Sequence, residues 1–171
     1  NKYKDLPLWV LIKKMTLGET YHFFDALQTS MKADVVKNCI KEYERTYSIC
    51  LSPQIQNTTA VLTNVFRFIN QFRNICAHEE RLFNTVVKDR YNHIPHIIHF
   101  HKARPYPFKS RLFDCVLILG FFLSKKDYGK CIRQLSDELE HLQNHLPPSL
   151  FNIVLIQMGF SRDWMSKTEL P

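Results

Sequence analysis

Asn57-Thr58-Thr59-Ala60-Val61-Leu62-Thr63-Asn64-Val65-Phe66-Arg67-Phe68-Ile69-Asn70-Gln71-Phe72-Arg73-Asn74-Ile75-Cys76-Ala77-His78 is the best-patterned stretch of the chain. Val61, Leu62, Val65, Phe68, Ile69, Phe72, Ile75 and Cys76 recur at steps of one, three and four. At about 100° per residue they gather on one arc of an α-helix, and Asn57-Thr58 can cap its start. Asn70, Arg73, Asn74, Ala77, His78 and Arg81 fall on the opposite arc. A helix patterned in this way must bury one side against neighbours and present the other.

The flanking sequence supplies those neighbours. Apolar residues cluster at helical spacing from Leu8 to Met15 and from Thr20 to Leu27, with Gly18 between them as a turn or C-cap. Asp34 stands where an N-cap belongs, ahead of Val35, Val36, Cys39, Ile40, Tyr43 and Tyr47, and Ser52-Pro53 closes that helix. Ser110 can cap an apolar helix running to Leu123. Tyr128, Cys131, Ile132, Leu135, Leu139, Leu142 and Leu146 form a near-heptad stripe stopped by Pro147-Pro148. A last helix from Ser149 to Met158 meets Gly159, and Phe160 and Trp164 are expected to dock back on the core. Residues 86 to 108, broken by Pro95, Pro105 and Pro107, are expected to be poor in helix. The whole predicts one all-α bundle over residues 1–171, without repeats or a linker.

Composition agrees with a globular domain of 171 residues, 45% hydrophobic and 23% charged, with only four glycines. The formal net charge of +7 and a pI near 9.2 suit a polyanionic partner, although a solvated basic surface explains charge alone equally well. Five cysteines, Cys39, Cys50, Cys76, Cys115 and Cys131, are odd in number and lack a CxxC pair. They read as small buried hydrophobes in a reducing cytoplasm. Cys115 to Leu123, the longest apolar run, is too short to cross a bilayer, so no membrane role is expected. The chain starts at Asn1 rather than Met, which leaves room for a natural N-terminal segment ahead of it.

Arg73 and His78 lie five residues apart, about 140° around the helix axis, with Asn74 between them in angle and one turn before His78. Asn74 is therefore placed to hydrogen-bond the imidazole and hold one tautomer. These group types suit RNA cleavage without a metal. Histidine moves protons near neutral pH, and arginine offers a fixed fork of donors to phosphate oxygens. One histidine per chain is short of an acid and base pair, which a symmetric dimer would complete. The same trio is also what an ordinary solvated helix face carries.

Arg73-Asn74-x-x-x-His78 resembles the R-x(4–6)-H signature of the HEPN superfamily. More narrowly, the chain is similar to the Abi-like family of abortive-infection proteins related to AbiD and AbiF. The likeness rests on Leu6-Pro7-Leu8-Trp9-Val10-Leu11 leading to Thr16-Leu17-Gly18, on Phe72 to His78 followed by Arg81-Leu82-Phe83-Asn84, and on Met158-Gly159-Phe160 ahead of Asp163-Trp164. It implies a HEPN-like helical bundle, a phage-defence or toxin–antitoxin setting, and a metal-independent endoribonuclease acting as a homodimer. In that reading Arg73, Asn74 and His78 are catalytic, no cofactor is needed, and an RNA or protein antitoxin is a possible partner. Glu79-Glu80 departs from the pattern. Its carboxylates would either weaken RNA binding or favour the acid form of the imidazole.

Asn70, Arg81, Arg104, Lys109 and Arg111 are the further candidates for RNA contact. Arg90, Tyr91, Lys102 and Tyr106 mix charge with stacking rings in a segment that reads either as an RNA-touching loop or as plain surface. His93, His96, His99 and His101 have no recognised zinc spacing. Trp9 and Trp164 are expected in the core or at its edge. The readings that rival the nuclease are a non-catalytic RNA-binding or dimerisation module, and a scaffold that does not touch RNA.

Overall fold

The computed structural model describes residues 7–48, 50, 59–87 and 108–169, and among them every regular element is α-helical. The helices are α1 (Leu8–Ile12), α2 (Leu17–Ala26), α3 (Thr29–Tyr47), α4 (Thr59–Ala77), α5 (Leu112–Phe122), α6 (Lys125–His145), α7 (Pro148–Gln157) and α8 (Trp164–Lys167). The all-α expectation is met. The caps proposed at Asn57-Thr58 and the stop at Ser52-Pro53 lie outside the described residues. So do Arg90, Tyr91, Lys102, Arg104, Tyr106 and the four histidines from His93 to His101.

The central helix is α4, against which α2, α3 and α5 all pack. Its side chains Leu62, Val65, Phe68 and Phe72 are at most 3% exposed, and Ile69 and Ile75 pack against the same core. Phe66 reaches Phe24 of α2 and Phe122 of α5, with ring centroids 5.6 Å apart in each case. Cys76, expected on the apolar arc, is exposed instead. It lies in the last turn of the helix.

Several boundaries differ from the sequence reading for local reasons. Gly18 is helical, because Thr16 starts α2 with a capping box. The Thr16 N–H donates to Glu19 Oε2 at 2.7 Å, and the Glu19 N–H donates to Thr16 Oγ1 at 3.3 Å. Asp34 lies inside α3, which begins at Thr29. Thr29 to Ala33 are unremarkable helix formers, and Lys32 ties that first turn to α2 through an ion pair with Asp25 at 3.4 Å. Ser110 does not cap α5. It takes φ +55°, and the wholly buried Asp114 carboxylate does the capping by accepting the N–H groups of Lys109 at 3.1 Å and Arg111 at 2.7 Å. Trp9 is 62% exposed, with Lys13 Nζ 5.1 Å from its ring centre, so α1 leaves its tryptophan outside the core.

The α6 stripe behaves as its spacing predicts, with Tyr128, Ile132 and Leu139 buried, and Pro148 opens α7 at its first position. The tail also docks as expected. Gly159 sits at φ +91°, where its N–H donates to the Ile156 carbonyl and the Phe160 N–H to the Leu155 carbonyl, both at 3.0 Å, which is the Schellman pattern. Phe160 is turned inward onto Phe113, centroids 4.7 Å apart, and Trp164 closes over both rings. The chain returns so closely that a Cβ on Gly159 would stand 3.0 Å from Arg111 Cβ. Gly159→Ala is therefore expected to cost about 1–3 kcal/mol, from the left-handed backbone together with the overpacking. Urea unfolding of the variant beside the parent checks this.

Only Cys115 among the five cysteines is buried; Cys39 and Cys131 are half-buried, and Cys50 and Cys76 are exposed. Burial, reinforced by Cys76, Asp114 and Cys131, pushes the Cys115 thiol up to about 12. Burial likewise pushes the phenols of Tyr43 and Tyr128 well above their usual range, and these rings sit in the core that joins α3, α5 and α6. All three groups ionise more readily in the unfolded chain than in the fold. Their contribution to stability is thus complete below about pH 9 and is lost as pH rises through 9 toward 12. The urea midpoint is expected to fall between about pH 9 and 12, and Tyr128→Phe is expected to flatten that fall.

Candidate functional site

The polar arc of α4 divides in two. Its earlier half is occupied by α2: Arg67 donates through Nε at 3.2 Å and Nη2 at 2.9 Å to the Tyr21 hydroxyl, and its guanidinium lies 5.7 Å from the Tyr21 ring centre. One turn on, Asn70 lies against the first turn of α2, where a Cβ on Gly18 would meet the Asn70 carboxamide at 3.5 Å. The Asn70 Oδ1 is closed off from solvent, with no hydrogen-bond partner among the described residues. Arg67 and Asn70 thus serve the packing of α2 on α4.

The later half is open. Arg73 and His78 are exposed and Asn74 is half-exposed. Arg73 Nη1 donates to Asn74 Oδ1 at 2.9 Å, so the amide orients the guanidinium rather than the imidazole. His78 is tied to Asn74 by the main chain, its N–H donating to the Asn74 carbonyl at 2.9 Å. Among the described residues its imidazole meets no hydrogen-bond partner. The arrangement therefore has a positioned cation and a separate imidazole, both exposed to solvent.

The end of α4 fixes where that imidazole stands. Glu79 takes φ +52°, its N–H donates to the Cys76 carbonyl at 3.4 Å, and the Glu80 N–H donates to the Ile75 carbonyl at 3.0 Å. This is again the Schellman pattern, with His78 as the last residue of the turn and a glutamate where glycine is usual. Nothing in the sequence marks this cap, because the residue that ordinarily signals it is absent. From here the chain turns toward α5: Thr85 Oγ1 donates to the Arg81 carbonyl at 2.5 Å, and the Val87 N–H donates to the Ser110 carbonyl at 2.9 Å.

The remaining candidates fall on either side of this corner. Arg81 and Lys109 are exposed and available to a polyanion. Arg111 is half-buried, and its Nη1 donates to the Gln157 carbonyl, joining α5 to the end of α7. Among the described residues no cluster of three or more His, Cys, Asp or Glu could hold a metal ion, and no described helix is long and apolar enough to cross a membrane.

Glu79 is a direct test of the corner. Glu79→Gly removes the strain of a non-glycine residue at positive φ and is expected to raise stability by about 0.5–1 kcal/mol, the larger entropy of the unfolded glycine chain being offset. Glu79→Val is expected to lower stability, since a branched Cβ fits that conformation worst. Denaturant titration of the three proteins gives both signs.

No curated protein and no solved structure matches the chain. Residues 1–84 match the model of a family described as Abi-like protein, which is 84 of 171 residues and just under half of the chain. The matched part covers α1 to α4 and the Arg73 to His78 word, and over that part the chain is similar to Abi-like proteins and supports kinship with them.

Proposed function

We propose that this chain is a metal-independent endoribonuclease of an abortive-infection or toxin–antitoxin system, with Arg73, Asn74 and His78 as its working residues. The observation that carries the reading is the solvent exposure of both Arg73 and His78 on the polar arc of α4, with the guanidinium held by Asn74 and the imidazole without a hydrogen-bond partner among the described residues. The Abi-like match over residues 1–84 supports the setting, and the net charge of +7 supports an RNA substrate.

In this mechanism the RNA's own 2′-hydroxyl attacks the adjacent phosphorus in line. The 2′-oxygen loses its proton to a base, the bond from phosphorus to the 5′-oxygen breaks, and that oxygen takes a proton from an acid. The products are a 2′,3′-cyclic phosphate and a free 5′-hydroxyl. Arg73 binds the non-bridging oxygens as their charge grows, while His78 is the proton-transfer group. A single imidazole cannot be base and acid at once in one turnover. The reading therefore places two such surfaces across a homodimer, His78 of one copy acting as base and the partner's His78 as acid. An antitoxin, RNA or protein, would act by covering this surface.

That the Arg73 to His78 word carries one histidine also favours a second reading, in which the surface binds RNA without cutting it. Incubating single-stranded RNA with the protein in EDTA separates the two. The nuclease reading predicts fragments ending in 2′,3′-cyclic phosphate, with cleavage lowered about 100-fold or more in His78→Ala and in Arg73→Ala. Salt-sensitive binding with no cleavage between pH 5 and 9 would support the binding module, and variants that cut as fast as the parent would remove the nuclease mechanism.

A further inference from the structure

His141 and His145 stand one turn apart on the exposed side of α6, opposite the buried Leu139. Their rings lie with centroids 4.3 Å apart at an interplanar angle of 47°. His145 Nδ1 is 2.8 Å from the His141 carbonyl oxygen. A carbonyl only accepts, so Nδ1 carries the proton. In the neutral ring the lone pair then lies on Nε2, which points away from the backbone. Metal-binding histidines are commonly oriented in this way, by a backbone carbonyl on the other ring nitrogen.

We infer that His141 and His145 form a two-imidazole chelate for a divalent metal ion of the borderline class, such as Ni²⁺, Zn²⁺ or Cu²⁺, with water filling the remaining positions. Nitrogen-to-metal bonds of about 2.0–2.1 Å need the two donor nitrogens roughly 3 Å apart. Rings at a centroid separation of 4.3 Å reach that by small side-chain rotations. The spacing is that of the paired histidines in helical zinc sites, where residues at i and i+4 share one face. The electrostatics agree. His145 is the last residue of α6, at the negative end of a 21-residue helix, and Asp137, Glu138 and Glu140 are exposed in the turns before it. Imidazole donors select borderline ions over Mg²⁺ and Ca²⁺, which prefer oxygen. A bound ion would fasten the last turn of α6, just before the Pro147-Pro148 corner into α7. The site shares no residue with the Arg73 to His78 word and does not depend on the ribonuclease reading.

Paramagnetic Ni²⁺ tests this by position. At equimolar Ni²⁺ and neutral pH, the amide NMR signals between Asp137 and Leu146 are expected to broaden selectively, and Mg²⁺ is expected to leave them unchanged. His141→Ala and His145→Ala, both exposed positions, are each expected to abolish that broadening, with binding at this turn weakened at least about tenfold because the second ligand is then lost from an intramolecular pair. Broadening of this turn that persists in both variants, or broadening confined to other parts of the chain, overturns the inference.

Discussion

Burial of one side of α4 is the constraint on which the rest of the molecule depends. Leu62, Val65, Phe68 and Phe72 are sealed between α2, α3 and α5, and each such side chain contributes about 1.5–3 kcal/mol by leaving water. Once that side is fixed, the rotation of α4 is fixed, and so is the direction of every residue on its other side. Arg73, Asn74 and His78 face solvent together because Phe68 and Phe72 cannot.

The same rotation also determines which polar residues are spent. Tyr21 and Gly18 bring α2 over Arg67 and Asn70, and that half of the polar arc becomes part of the packing. Beyond the first turn of α2 nothing described covers α4, and the open half begins at Arg73. The Schellman turn at Glu79 then stops the helix one residue past Ala77, leaving His78 at the corner rather than inside a longer helix. The open part of the polar arc is thus bounded by two local devices, a capping box at Thr16 on one side and a left-handed glutamate on the other.

The long amphipathic segments were legible in the sequence because their period is enforced by burial: α4, α5, α6 and α7 fall where the apolar spacing places them. Starts were harder to read. Asp34 and Ser110 have side chains that cap well, yet α3 begins five residues before Asp34, and α5 is capped from within by Asp114. Cap propensity is a local signal, and tertiary contacts such as Lys32 with Asp25 override it. At the site, the residue types and their outward direction were readable. The partner of Asn74 was not, since its amide reaches either a preceding guanidinium or a following imidazole from the same backbone position. Asn70 illustrates the same limit: it shares an arc with Arg73, and only the position of α2 tells them apart.

The central functional claim is that one chain supplies half of a catalytic surface. Cleavage of a single-stranded RNA, measured as activity per chain across a dilution series with the oligomeric state followed by light scattering, tests it most directly. The account predicts that activity per chain falls as the protein dissociates and recovers on reconcentration. Activity per chain that stays constant while the protein is monomeric would contradict it.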